Sequence, residues 1–274
     1  WFLHWWGYAF KHRLNPFISY LIWAPNGYNV VKTPSLFGVY LMSLPLKFFT
    51  STLGAYNIIA VFSPAIAAWS MLLCCFHLVR KRLIAWFGGY LFGFSSYMIS
   101  QTCSHINLTA GVFLLPIIIW LVILLIQSRI GRLSATIAIT LCLTLLFFIS
   151  KEMITTFTVC AAIALVIAFF IFPLVKARIK TVIGVLLPSY LLLALFASPF
   201  IYYFMSSHIP LILKVDSSIM NNDLLAFFTP PVFMQFITHN SVALSQQFIG
   251  GDVEQGAYLG FPLILILILF IHSG

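Results

Sequence analysis

The chain is 274 residues long, 62% hydrophobic and only 7% charged, with a mean hydropathy of +1.08. That composition leaves too little polar surface for a water-soluble domain and reads as a polytopic membrane protein. The net charge of +9 does not call for nucleic acid. Eight of the fourteen basic residues (Arg80, Lys81, Arg82, Arg129, Arg132, Lys176, Arg178 and Lys180) sit in three short loops between apolar runs, where membrane topology explains them.

Residues 1–10, WFLHWWGYAF, are aromatic almost all round and too short to span, and Lys11, His12 and Arg13 follow at once. Trp and Tyr favour the headgroup level, which predicts an interfacial helix. The turn-rich residues 14–35, with Asn15-Pro16, Pro25-Asn26-Gly27 and Thr33-Pro34, predict an irregular loop. Residues 36–49 are apolar but hold Pro45 and Lys47, and are expected as a second interfacial helix. Residues 1–56 together make a first extracytoplasmic loop.

Residues 57–82 form the first full crossing, ending at Arg80, Lys81 and Arg82. Three adjacent cations favour the cytoplasmic side, so this helix runs from outside to inside and fixes every later side. Crossings follow over residues 83–101, 110–127, 133–150, 153–175 and 181–204, making six in a bundle over residues 57–205. Gly88, Gly89 and Gly93 give the second of these a small-residue face for close helix contact. Residues 206–257 form one long extracytoplasmic loop, and residues 258–274 begin a seventh crossing. The fold class expected is therefore all-α, a polytopic transmembrane bundle with interfacial outer helices. The chain starts at Trp1 with no signal peptide and ends within an apolar run, so it reads as a piece of a longer protein. Cys74, Cys75, Cys142 and Cys160 fall inside spans and Cys103 near an outer turn, which offers no disulfide framework.

In this topology all five carboxylates lie outside. Asp216, Asp223, Asp252 and Glu254 occupy the long loop, and Glu152 sits beside Lys151 at the turn between two spans. An ionisable group close to membrane depth is costly and marks function more often than one in a loop, which singles out Glu152. His105 lies at another outward turn and could act as base or phosphate donor. No HxxxH or HxH spacing accompanies it, so no cofactor is indicated and a divalent metal such as Mg or Mn has no support in the sequence. Arg13, Lys32, Lys47 and Lys214 place cations on the outer side, where charge-assisted donors would suit a lipid-linked phosphate. Snorkelling accounts for Lys47 better than for Lys32 or Lys214.

The order of features resembles a family. An interfacial aromatic helix (WFLHWWGYAFKHRLNPF), the turn WAPNGYN, a short Pro-containing helix and an outside-to-inside helix closing on basic residues look like the GT-C superfamily of membrane glycosyltransferases. The stretches GGYLFGFSSYMISQTCSHINL, ISKEMITT, DLLAFFTPP and GDVEQGAYLGFPL look like bacterial multi-pass proteins of this kind, distantly YfhO-like. The resemblance implies transfer of a sugar from a polyprenyl-phosphate donor to a glycan or lipid acceptor of the cell envelope. It also implies the extracytoplasmic face of the bacterial inner membrane. Such enzymes carry an acidic base in the first outer loop, but residues 1–56 contain no Asp or Glu, so the base is expected upstream of Trp1. His105 stands where a second acid is common, which removes support for a metal site of the family's type. The resemblance assigns Glu152, His105 and Glu254 to catalysis and Arg13, Lys32 and Lys214 to phosphate. Trp23, Tyr258, Asp216 and Asp223 would line the substrate. A transporter or flippase for a lipid-linked precursor is the alternative from another class, and a noncatalytic relative is a third. No Asp, Glu, Lys or Arg lies mid-span in the predicted crossings, which argues against ion-coupled transport.

Overall fold

The computed structural model describes residues 1–34, 36–209, 222–231, 238–248, 250 and 256–273. The protein is a helical bundle. Its helices are α1 (Phe2–Lys11), α2 (Phe37–Leu46), α3 (Thr52–Val79), α4 (Arg82–Gly93), α5 (Ser96–Ser104), α6 (Ile106–Thr109) and α7 (Leu114–Ile126). They continue as α8 (Arg132–Ile149), α9 (Lys151–Ile171), α10 (Pro173–Ser206), α11 (His239–Ser245) and α12 (Phe261–Ser273). The one sheet among the described residues is a two-residue antiparallel pair, β1 (Ile18–Ser19) with β2 (Tyr28–Asn29). Among the described residues five helical spans are long and apolar enough to cross a membrane: α3, α6 with α7, α8, α9 and α10. A sixth candidate is α4 with α5, bent by 42° at its break. The second predicted crossing, residues 83–101, is thus not one straight helix, because Ser95 turns extended and caps a new one by accepting from Met98 N.

The chain packs as two compact units, Trp1–Ile59 with Ala110–Leu211, and Ala60–Thr109 with Ile212–Gly274. In the first, α8 is the centre. It buries Ala135, Ile139, Leu143, Leu146 and Ile149 along one stripe, the spacing of a helix with a single inward face. α10 answers with Val175, Val182, Val185, Ser189, Leu193, Ala197 and Phe200. Gly38 of α2 lets that helix close on α8, since a Cβ there would meet Ile149 Cγ1 at 2.5 Å and Ile149 N at 2.7 Å.

Above this contact an aromatic cluster joins α1, the loop after it, α2, α8 and α10. Trp6 meets Phe37 at 4.6 Å, Phe37 meets Phe148 edge-on at 5.1 Å, and Phe17 stacks on Tyr203 at 4.5 Å. Each ring buries a large apolar area and gains from tilted or edge geometry. The aromatic run at residues 1–10 therefore has one face, Leu3, Trp5, Trp6 and Ala9, that is core, while Trp1 and Phe10 stay exposed. α9 lies at the rim, with 6% of its most apolar stretch buried inside the structure.

The α9–α10 junction differs from expectation. Phe172 is extended, as a residue before proline prefers, and Pro173 opens α10 at a position where its missing N–H costs nothing. Helix then runs unbroken for 34 residues, about 51 Å at 1.5 Å per residue and well beyond the ~30 Å hydrocarbon thickness. Lys176, Arg178 and Lys180, expected in a loop, instead ride the first turns of α10. Arg132 at the start of α8 donates to Thr181 Oγ1 at 3.2 Å.

In the second unit the glycine face is real. A Cβ on Gly93 would meet Pro64 O and Ala68 N at 2.4 Å, and one on Gly89 would meet Ala68 O at 2.5 Å. Leu259 N donates to Phe227 O at 3.1 Å, tying the approach to α12 onto a short 3-10 turn, Leu224–Phe227.

Candidate functional site

Within the first unit a groove of about 650 Å³ runs between α9 and α10. Its walls carry Ile154, Thr158 and Val159 from α9 and Tyr190, Leu193 and Phe204 from α10, with Val31 and Lys151 at one end. From Lys151 to Thr158 is seven residues of helix, about 10 Å. Val159, Ile201, Phe204 and Met205 line it and are also exposed on the outside of the unit. The groove therefore opens on an apolar flank. Partway along, Thr158 Oγ1 and Tyr190 Oη are 2.7 Å apart, and Thr158 also donates to Ile154 O at 2.7 Å. Tyr190 is left as the donor to Thr158.

The end of the groove is built by sequence-local rules. Ser150 ends α8 in an extended conformation and caps α9 by accepting from Met153 N at 3.2 Å. That puts Lys151 and Glu152 on the first turn of α9, where a carboxylate suits the helix dipole. Glu152 points to the exterior and is exposed. Lys151 turns inward, half-buried, and its Nζ donates to Val31 O and to Thr33 O, the latter at 3.0 Å.

Those carbonyls belong to the segment Tyr28 to Thr33, which is itself tightly held. Asn29 Oδ1 accepts from Val31 N at 2.8 Å, opening a 3-10 turn over Val30–Lys32, and Asn29 Nδ2 donates to Tyr203 O of α10 at 3.0 Å. Lys32 Nζ donates to Ser207 O at 2.9 Å and to Ile209 O at 2.8 Å, just past the end of α10. Tyr28 Oη donates to Thr33 Oγ1 at 2.6 Å, and burial pushes that phenol above its ordinary value, with the Thr33 hydrogen bond pulling the other way.

The residues singled out from sequence fall into four groups. Lys32 and Glu152 come to the same end of the first unit, around the 28–33 segment. Arg13 and Trp23 are in that unit but do not line the groove. Both have left-handed backbone, φ 56° and φ 57°, at the reversal after α1 and in the turn before Gly27, and Trp23 is 49% exposed. His105, Asp223 and Tyr258 belong to the second unit. There His105 Nδ1 donates to Gln101 Oε1 at 3.0 Å at the end of α5, Asp223 caps a turn by accepting from Leu225 N at 2.9 Å, and Tyr258 is half-buried. Lys214, Asp216 and Glu254 lie outside the described residues. Among the described residues no three His, Cys, Asp or Glu side chains gather as a metal ion would require.

Sequence reasoning passed over two features of this site. It read Lys151 only as the neighbour of Glu152 at the turn, whereas the structure turns Lys151 inward onto Val31 O and Thr33 O and leaves Glu152 exposed. It also missed the polar stripe Lys151, Thr155 and Thr158, whose spacing of four and three residues on an otherwise apolar span puts all three on one helix face.

Comparison with protein-family models, with curated proteins and with solved structures finds no match for this chain. Class therefore rests on physics. Long apolar helices with charge confined to their ends define an integral membrane protein of the polytopic helical type.

Proposed function

We propose that this protein is a membrane glycosyltransferase that moves a sugar from a polyprenyl-phosphate-linked donor to a cell-envelope glycan or lipid acceptor on the extracytoplasmic face. The observation that supports the reading is the groove: an apolar channel open on the flank, with a lysine ammonium at one end and an exposed carboxylate beside it. A lipid-borne substrate reaches such a site sideways from the bilayer, laying its chain along Val159, Leu193 and Phe204 and bringing its phosphate to Lys151, while Lys32 stays on Ser207 O and Ile209 O. The leaving lipid phosphate is then met by the Lys151 ammonium, and an outer carboxylate takes the proton of the acceptor hydroxyl as it attacks the anomeric carbon. Glu152 is the described carboxylate at this end.

The test is transfer from polyprenyl-phosphate sugars by the full-length protein in liposomes. Glu152→Gln lowers turnover at least tenfold with unchanged thermal stability, in the range typical of a lost general base or orienting carboxylate. Unchanged turnover clears Glu152 of any role, and no transfer with any polyprenyl-phosphate sugar removes the glycosyltransferase reading.

A further inference from the structure

The segment from Tyr28 to Thr33 bridges the two helices that wall the groove, and side-chain donors fasten it on both sides. On the α9 side the Lys151 ammonium holds the carbonyls of Val31 and Thr33. On the α10 side Asn29 holds Tyr203 O, and Lys32 holds Ser207 O and Ile209 O. Val31 is at once a wall of the groove and a partner of Lys151. The acceptors that hold these two ammonium groups, Val31 O and Thr33 O for Lys151 and Ser207 O and Ile209 O for Lys32, are neutral backbone carbonyls. A phosphate presents the same donors with a full negative charge, an advantage that grows where the surroundings are apolar.

We infer that this segment is a latch released by an anionic, phosphate-bearing lipid. The chain of the lipid occupies the groove, its phosphate draws Lys151 away from the Val31 and Thr33 carbonyls, and the strap comes free of α9 while Lys32 and Asn29 keep it hinged on α10. The inference rests on the reading of the groove as a lipid site, and it requires no transfer chemistry. Chain and charge are both needed. An uncharged chain leaves Lys151 on its carbonyls, and a free phosphate lacks the apolar contact that would hold it at the end of the groove.

Hydrogen exchange followed by mass spectrometry on the full-length protein, in nanodiscs of zwitterionic lipid, tests it with three probes: farnesyl phosphate, farnesol and inorganic phosphate. Farnesyl phosphate is expected to speed exchange across residues 28–33 at least fivefold, while farnesol and inorganic phosphate leave it unchanged. Lys151→Met should exchange fast with no probe present and show no further response, and Lys151→Arg should behave as the parent. Because the parent protein with three probes decides the matter alone, a Lys151→Met chain that fails to fold does not spare the inference. Farnesyl phosphate that protects the peptides around Tyr190 without loosening residues 28–33 overturns it, as does equal loosening by inorganic phosphate. Sugar transfer without latch release sinks this inference alone, and latch release without sugar transfer sinks the glycosyltransferase reading alone.

Discussion

Gly38→Ala puts the packing of the site's scaffold under direct strain. The added methyl would lie 2.5 Å from Ile149 Cγ1, 2.7 Å from Ile149 N and 2.9 Å from Phe148 C, where carbon contacts settle at roughly 3.5–4.0 Å. Two of the three obstacles are backbone, so no rotamer change relieves them, and α2 must retreat from α8 by about 1 Å. That retreat also loosens Phe37 on Phe148, which stand 5.1 Å apart. Overpacking of this kind costs about 1–3 kcal/mol. At ~2–4 °C per kcal/mol for a chain of this size, the melting temperature falls by roughly 2–12 °C. The assay is thermal unfolding in detergent, read by tryptophan fluorescence, with Gly184→Ala in α10 as the control. A Cβ at Gly184 meets nothing within 4 Å, so that change should be neutral or stabilising by about 0.5–1 kcal/mol through helix propensity. A Gly38→Ala protein that melts with the parent, or with Gly184→Ala, refutes the close α2–α8 approach.

Gly93→Ala should destabilise the second unit by a similar ~1–3 kcal/mol, because its Cβ would meet Pro64 O and Ala68 N of α3 at 2.4 Å; an unchanged unfolding midpoint contradicts that packing. For Tyr28 the sign follows from burial, which raises the folded phenol above 10.0. Below pH 10 both folded and unfolded forms are protonated; above it the unfolded chain ionises first, so stability is lost as pH climbs through the folded value. The parent should therefore lose stability relative to Tyr28→Phe above pH 10, and parallel stability curves would show that Tyr28 is not desolvated.

Much of the fold was written in hydropathy. The apolar runs at residues 57–82, 110–127 and 133–150 became helices because a membrane core leaves the backbone no other partners. Boundaries were less legible where two local rules competed. Cations near Thr181 suggested a loop, but Pro173 followed by good helix formers started α10 earlier and carried Lys176, Arg178 and Lys180 into it. The bend between α4 and α5 comes from capping by Ser95, a signal available in the sequence but weaker than the surrounding apolar run. The site was legible only in part. Lys32 and Glu152 could be named from charge and predicted depth alone, while the role of Lys151 depends on carbonyls 118 and 120 residues away in the chain. No local pattern reports a contact of that range.

The proposed function requires the groove's lysine end to face the extracytoplasmic side and the cationic start of α10 to face the cytoplasm. Glu152→Cys and Arg178→Cys, placed separately in a background with the five native cysteines replaced, test it with a membrane-impermeant maleimide on intact cells. Labelling is expected at position 152 before permeabilisation and at position 178 only after it. Labelling of both from one side, or the reverse order, contradicts this topology and the site built on it.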